Sequence, residues 1–480
     1  MKRSLKKLLA LLLAACLLAV SLPAVTVSAA TAEESVVASS GTTGDCTWTL
    51  DDNGTLTISG NGKMRDYFST CPWGTGIKSI IIENGVTNIG EYAFYQCTGL
   101  TSVTIPDSVT TIGSEAFRGC LNLTNITIPD SVTTIGHDAF YVTEWENNQP
   151  NGLMYAGKVA YKYKGTMPEN TTVDIREGTK GIADYAFFNC YNLTSVTIPN
   201  SVTSIGDSAF SGCTGLTNIT IPDSVTTIGN SAFYETKWER NQPNGLVYAG
   251  KVAYSYNGTM PDTDIILQEG TKGIADYAFY GFTDLTSVTI PDSVITIGNA
   301  AFRYCTGLTS VTIPDSVTTI GHDAFSLCKN LTSVTIGSSV TSIGFEAFRN
   351  CTGLTSVTIL DSVTSIGYRA FGYYYDNEYK KISDFIIYGY PNTTAEDYAR
   401  ANEFAFVALE PVPDYIMGDV NHDNKIDVTD ATMIQLCAAE LVELTDAQKH
   451  AADANGDGKV DVTDATIIQL YSAELIDHLG

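Results

Sequence analysis

The sequence predicts a solenoid with one short parallel strand per 23-residue turn, capped at both ends and followed by a small all-α module made of a duplicated loop and helix. Three observations carry this expectation. An Ile-Gly or Ile-Ala pair recurs at Ile89, Ile112, Ile135, Ile182, Ile205, Ile228, Ile274, Ile297, Ile320, Ile343 and Ile366, with eight of the ten gaps equal to 23 residues. A phenylalanine follows each isoleucine five residues later, from Phe94 to Phe371, so eleven units stand in register. The chemistry then changes, and residues 418–480 hold 13 acids against three lysines. A fixed period of this length marks stacked units, each too small to bury its apolar side alone.

Composition bounds the rest. The 480 residues include 53 acidic and 27 basic side chains, a formal charge of −26, which argues against nucleic acid because phosphate binding needs a basic face. Hydrophobic content of 44% with 10% aromatics supports a core and excludes wholesale disorder. Charged residues make up only 17%, while Gly, Thr and Ser are abundant, a balance that suits short strands and turns.

In chain order, residues 1–30 read as a secretory signal. Lys2, Arg3, Lys6 and Lys7 precede an apolar run from Leu8 to Val20, and Val27-Ser28-Ala29 or Ser28-Ala29-Ala30 offers a small-residue cleavage site. The run is too short to span a membrane and no second candidate follows, so a secreted chain without a membrane contact is expected after cleavage. Cys16 after Leu13-Ala14-Ala15 raises a lipoprotein alternative, which the continuing apolar run Leu17 to Val20 disfavours. Residues 41–76 read as an N-terminal β cap, with a hairpin over Thr47 to Ile58.

Residues 77–371 form the repeat array. In one unit, Leu100, Val103, Ile105, Val109, Ile112, Phe117 and Cys120 are apolar, and Val103 and Ile105 alternate with Ser102 and Thr104. That period of two predicts a strand over 100–105, ended by Pro106 and Asp107, with Gly113 opening a helical or 3₁₀ turn over Ser114 to Phe117. The outward strand positions are small and uncharged: Ser102/Thr104, Asn125/Thr127, Ser195/Thr197, Asn218/Thr220, Ser287/Thr289, Ser310/Thr312, Ser333/Thr335 and Ser356/Thr358. A receptor for one protein varies its aromatic and charged anchors, and this face offers none. The two long gaps, 47 and 46, hold inserts at about 141–178 and 234–270. Each carries Trp-Glu-x-Asn-Gln-Pro-Asn-Gly-Leu, starting at Trp145 and Trp238, and then a hairpin pattern around Lys158 and Lys251. A phase-keeping structural role is the simpler reading; sugar stacking by the Trp and Tyr side chains is the other.

Seven cysteines, Cys97, Cys120, Cys190, Cys213, Cys305, Cys328 and Cys351, fall three residues after the phenylalanine and read as buried small side chains. Export permits disulfides, and the pair Cys46 and Cys71 is left open as a bridge. Residues 372–410 read as a C-terminal cap with strands at Phe385 to Tyr388 and Phe404 to Leu409 around a helix at Thr394 to Glu403, and 411–417 as a stiff linker.

The motif Ile-Gly-x-x-Ala-Phe-x-x-Cys-x-x-Leu-x-x-Val-x-Ile-Pro-x-Ser-Val resembles the leucine-rich repeat family of the bacterial surface-antigen (BspA-like) type, over some three-fifths of the chain. The resemblance implies a leucine-rich repeat solenoid in a secreted or surface protein that binds an unknown protein or surface glycan.

In residues 418–480, Asp419, Asn421, Asp423, Asp427 and Asp430 place oxygens at loop positions 1, 3, 5, 9 and 12, with the Lys425 carbonyl at position 7. Asp453, Asn455, Asp457, Lys459, Asp461 and Asp464 repeat the set. Calcium takes six to eight oxygens, so two calcium ions are expected. Helices are expected over Ala431 to Leu441 and Ala465 to Leu475, with Ile426 and Val460 packing the loops together. This loop–helix duplicate without an entering helix resembles the dockerin family, calcium-dependent plugs for cohesin domains of scaffold proteins. The resemblance implies cohesin contacts at Val428, Thr429, Gln435 and Leu436 and their counterparts Val462, Thr463, Gln469 and Leu470.

Catalysis is not expected. Five histidines stand apart from any nucleophile pattern, and no HExxH, GxSxG, Walker or GxGxxG motif occurs. The expected function is therefore a secreted, non-catalytic adhesion or recognition protein, attached to a cellulosome-like scaffold at the cell surface. The alternative is a carbohydrate-active component binding or cleaving plant polysaccharide.

Overall fold

The structure, a computed structural model, describes residues 40–68, 70–258, 263–409, 416–423, 425–456 and 458–479. The expected signal segment, Cys16, most of the expected linker and the expected ligand Asp457 lie outside the described residues. Two compact units are present: the described residues up to Thr194 with Gly206–Gly215, and Ser195–Ile205 with the described residues from Leu216 onward.

Both units are built from β-solenoid turns at the 23-residue spacing. In the turn around Phe117, the side chains of Leu100, Val103, Ile105, Val109, Ile112, Phe117 and Cys120 are buried while Ser102 and Thr104 face solvent. The strand Ser102–Thr104 pairs in parallel with Ser79–Ile82, in the register Ser79↔Ser102. Each turn adds a second, two-residue pairing at its Ile-Gly site: Thr111–Ile112 lies between Val86–Ile89 and Thr134–Ile135. In the second unit, Gly273–Ile274, Thr296–Ile297, Thr319–Ile320, Ser342–Ile343 and Ser365–Ile366 continue this pattern as an unbroken parallel row. Residues 124–128, expected to present Asn125 and Thr127 from a strand, form none. That turn meets the first insert, whose Gly157 (φ +58) sits so close to the Ile128 carbonyl that a Cβ would come within 2.9 Å of it.

Of the helical or 3₁₀ turn expected over Ser114 to Phe117, single i→i−3 turns form but no continuous helix. The amides of this segment alternate between two partners. Ala116, Arg118 and Cys120 donate back to Gly113, Glu115 and Phe117, whereas Glu115, Phe117 and Gly119 donate to His137, Ala139 and Tyr141 on the next turn. A helix would need every amide for itself, so the inter-turn ladder excludes it. The alternation is achieved by left-handed residues at Glu115 (φ 53) and Gly119 (φ 75), and the pattern recurs at Asp323 and Leu327, and at Glu346 and Asn350.

This backbone stacks the phenylalanines. Ring centroids of successive turns lie 5.2 Å apart for Phe94 and Phe117, and 5.1, 5.2, 5.1 and 4.8 Å apart along Phe279, Phe302, Phe325, Phe348 and Phe371. The cysteines brace the same rows. The thiols of Cys120, Cys305 and Cys328 donate to the Phe94, Phe279 and Phe302 carbonyls at 3.1, 3.1 and 3.2 Å. Cys46 and Cys71 are free thiols, so the bridge left open between them is not formed; the Cys71 thiol donates instead to the Ala93 carbonyl at 3.0 Å.

Each insert is a short helix, Glu144–Asn147 or Lys237–Arg240, followed by an antiparallel hairpin, Gly152–Ala156 with Val159–Lys164 or Gly245–Ala249 with Val252–Asn257. The second hairpin strand joins the Ile-Gly row in parallel, through Ala160↔Ile182 and Ala253↔Ile274. Where the next repeat would offer a carbonyl to the Phe140 or Phe233 amide, a buried Tyr161 or Tyr254 hydroxyl accepts it at 3.0 or 3.2 Å.

After Phe371 comes a hairpin, Tyr373–Asp376 with Glu378–Lys381. The strand Ile386–Gly389 then lies in parallel between Ser356–Ile359 and Ala405–Ala408, with the helix Thr394–Ala401 before the last strand. The final module holds helices Val428–Ala438, Asp446–Ala452 and Val462–Ser472 around Val420, Ala431, Ile434, Leu444, Ala465 and Ile468. The two expected helices begin three residues earlier than Ala431 and Ala465, because Asp427 and Asp461 cap them. They end earlier than Leu441 and Leu475, because Glu440 (φ 60) and Glu474 (φ 58) take left-handed turns. The middle helix was not expected, although its Thr445/Gln448 capping box is legible in the sequence.

Candidate calcium loops and docking face

In the first loop the acidic side chains organise the backbone. Asp430 is fully buried; its Oδ1 accepts the Val420 and Asn421 amides at 2.8 and 3.0 Å, and its Oδ2 accepts the Asp427 amide at 2.9 Å. Asp419 accepts the Asp423 amide, and Asp423 accepts the Lys425 amide, each at 3.0 Å. The second loop repeats the device: buried Asp464 accepts the Asn455 amide at 3.2 Å and the Asp461 amide at 2.9 Å. Aspartate at loop position 12 is therefore short enough to brace its own loop, a role invisible from spacing alone.

Asp427 and Asp461 each cap a helix. Hydrogen bonds from Thr429 and Thr463, by hydroxyl and then by amide, hold both carboxyls below the usual carboxylate range. The donor set is oxygen throughout, from alternate residues of a tight loop, and this chemistry fits a hard divalent cation. Among the described residues no three carboxylate, histidine or cysteine side chains converge on one point.

The expected docking residues stand on the two long helices. Val428 and Val462 are 60% and 61% exposed at the first helical position, and Thr429, Thr463, Gln435 and Gln469 are exposed with them. Leu470 is exposed and Leu436 half-buried, the one departure from symmetry in this set. Sequence reasoning missed Leu441 and Leu475, 72% and 70% exposed, which follow the left-handed Glu440 and Glu474. The duplicated Ala-Glu-Leu at 439–441 and 473–475 was the available signal.

The two tryptophans singled out in the inserts serve the core. Trp145 and Trp238 are half-buried and lie 5.0 and 4.8 Å from the Phe140 and Phe233 rings, closing the phenylalanine rows. Of the histidines, His322 accepts the Phe345 amide through Nδ1 at 2.8 Å, and His137 lies 3.4 Å from Glu115. No helix of the described residues is long and apolar enough to cross a membrane.

Comparison with known proteins agrees with this architecture. The BspA type leucine rich repeat region, in six copies, matches residues 68–173, 179–262 and 250–378, and the dockerin type I domain matches 417–471. Both are non-catalytic module types. Among solved structures, a leucine rich cell surface protein from Faecalibacterium prausnitzii is 30% identical, covering 68% of this chain and 94% of that chain at a TM-score of 0.26. A leucine-rich repeat protein from Eubacterium ventriosum is 24% identical, covering 70% and 95%, at a TM-score of 0.25. The pneumococcal vaccine antigen PcpA is 17% identical, covering 78% and 99%, at a TM-score of 0.31. No curated protein matches the chain.

Proposed function

The chain belongs to the BspA-type leucine-rich repeat proteins and ends in a type I dockerin domain, and from this premise we propose that it is a secreted, non-catalytic binding protein carried on a cohesin-bearing scaffold of the cellulosome kind. The observation that carries the reading is the duplicated docking face, with Val428 and Val462 equally exposed beside two loops of calcium-type oxygens. Asp419, Asn421, Asp423, the Lys425 carbonyl, Asp427 and Asp430 would hold one ion, and Asp453, Asn455, Asp457, the Lys459 carbonyl, Asp461 and Asp464 the other. Calcium supplies charge that draws these carboxylates onto one centre and rigidifies the loop ahead of its helix. Val428, Thr429, Gln435 and Leu436, or Val462, Thr463, Gln469 and Leu470, then meet the cohesin. The repeats hold a ligand near whatever the scaffold approaches, outside the cell.

Capture of the full chain on a panel of immobilised scaffold cohesins, with calcium and then with chelator, tests the reading. Calcium-dependent capture supports it. Calcium binding without capture by any cohesin reduces the module to a stabilising tail and leaves a free secreted adhesin.

A further inference from the structure

A cleft of about 390 Å³ opens beside the first insert, lined by His137, Asp138, Lys162, Tyr163, Tyr185 and Phe188. Its walls come from three successive parts of the chain: the turn before the insert, the insert's own hairpin, and the turn after it. Tyr185 and Phe188 are 40% and 45% exposed, with ring centroids 5.0 Å apart at 63°. Lys162 bonds Asp138 at 3.1 Å and reaches Glu146 at 3.4 Å, so the polar rim is held in place.

The second insert repeats the rings. Tyr277 and Tyr280 occupy the positions of Tyr185 and Phe188, are 40% and 46% exposed, and lie 5.5 Å apart, with half-buried Tyr256 in the place of Tyr163. The rim changes: Asn230, Ser231 and Ser255 replace His137, Asp138 and Lys162.

The solenoid does not require rings there. On turns that follow an ordinary repeat, the same two positions carry Glu115/Arg118, Asp138/Tyr141, Ser208/Ser211, Ser231/Tyr234, Ala300/Arg303, Asp323/Ser326, Glu346/Arg349 and Arg369/Gly372, a single ring in two cases and a pair in none. An aromatic pair also stands at Tyr92/Tyr95 after the N-terminal hairpin, half-buried. At these two positions of the turn, exposed pairs thus accompany the inserts. Exposed rings beside fixed polar groups in a narrow cleft mark a ligand site rather than a core.

We infer that each insert builds a polysaccharide-binding groove, with Tyr185/Phe188 and Tyr277/Tyr280 as the stacking platforms. The inference rests on the reading of the repeats as the binding half of the protein and names their ligand class. A sugar ring presents a C–H face to an aromatic face and hydroxyls to its edge. The first groove answers those hydroxyls with Asp138, Lys162 and His137, the second with Asn230, Ser231 and Ser255. A protein partner needs a broad desolvated patch with varied anchors, whereas the neighbouring outward strand positions are mostly small serines, threonines and asparagines, with Asp174, Asp264 and Ile266 as the exceptions beside the inserts. A cleft of about 390 Å³ falls within the range of small-ligand sites.

Affinity electrophoresis of the full chain through gels holding xylan, mixed-linkage β-glucan or polygalacturonate tests the inference. The probes are the wild type, Y185A/F188A, Y277A/Y280A, the fourfold variant, and Y277F as a ring-preserving control. Melting temperatures verify that each variant folds. Retardation by at least one polysaccharide is expected, weakened about tenfold or more by either double substitution, abolished in the fourfold variant and kept in Y277F. Equal retardation of wild type and fourfold variant overturns the inference, as does no retardation of the wild type in any gel. If, in that last case, the rings are needed to capture a purified cell-surface protein, the occupant is a protein. Cohesin capture of the same variants is measured separately, so failure of the glycan site is distinguishable from failure of the scaffold reading.

Discussion

The Tyr398 hydroxyl accepts the Phe371 amide at 3.0 Å and lies 3.0 Å from the Phe371 carbonyl. Upstream phenylalanine amides such as Phe348 donate to an alanine carbonyl on the next turn, here Ala370 at 2.8 Å. After Phe371 no further repeat follows, and a side chain from the closing helix replaces that carbonyl. Tyr161 and Tyr254 do the same where an insert interrupts the stack. A buried amide without an acceptor costs about 1–3 kcal/mol, so Tyr398→Phe is expected to destabilise by about that amount. The exposed Tyr191→Phe should have almost no effect. Equilibrium denaturation of the two variants checks the difference, and equal effects would remove the capping role.

Val142 (φ 60) holds a left-handed conformation at the position where other turns place Gly119, Gly212 and Gly281. A β-branched residue is poorly suited to that region, and the conformation costs roughly 1–2 kcal/mol. Because Val142 is 40% exposed, Val142→Gly loses little packing. A net stabilisation of about 0.5–1 kcal/mol is expected after the greater chain entropy of glycine, read as a rise in melting temperature. A fall would mean that the valine side chain contributes more than its exposure indicates.

The repeat cysteines are built to be inert. Burial pushes the thiols of Cys120 and Cys305 up to about 12, and raises Cys328 well above the ordinary thiol value. At pH 8 the thiolate fraction of a group titrating near 12 is about 10⁻⁴, so alkylation of these residues in the native chain should be slower than for an ordinary thiol by about a thousandfold. Mass-resolved alkylation before and after denaturant distinguishes the sites. Rapid native labelling at Cys120 would contradict the packing described.

Burial raises the Glu239 carboxyl above its ordinary value, and its partners, the Glu235 amide and the Tyr254 hydroxyl, only partly offset this. A carboxyl raised in the folded state favours folding when protonated. Its contribution is complete below the ordinary glutamate value of about 4.3 and fades as pH rises through the folded value. Glu239→Gln keeps an acceptor for the Glu235 amide and removes the ionisation. The variant should be more stable than the wild type at pH 7, with the gap closing by pH 4. A gap independent of pH would assign the effect to something other than ionisation.

Val428 and Val462 occupy equal positions on two helices with near-identical sequence, so under the proposed function either helix is expected to serve as the docking face. Val428→Asp or Val462→Asp alone should leave cohesin capture within about twofold of the wild type, and the double substitution should abolish it. Complete loss from one single substitution would show that only one orientation is used.

Several features are legible in the sequence alone. A 23-residue period with one phenylalanine and one Ile-Gly pair per turn implies stacking, because a single turn has no apolar partner of its own. The loop oxygens are equally legible, since their spacing is local. The helices start three residues before the expected positions for a physical reason: the Asp427 carboxyl, expected only as a ligand, also accepts the Thr429 amide and so caps the helix that Val428 begins. The middle helix was missed because its seven residues carry no apolar stripe.

What the sequence by itself determined about this protein is therefore the repeat unit, its period and the identity of each local motif, all set by residues within one turn or one loop. The tertiary structure decided how the ends of each stack are closed and where rings face solvent. Phe140 and Tyr161 are 21 residues apart, Phe371 and Tyr398 27 apart, and their hydrogen bonds exist only once neighbouring turns are stacked. Trp145 and Tyr185 read alike as aromatics in or after an insert, yet one closes a phenylalanine row and the other lines a cleft. That distinction depends on which side of a turn meets its neighbour, a long-range relation that composition and periodicity do not contain.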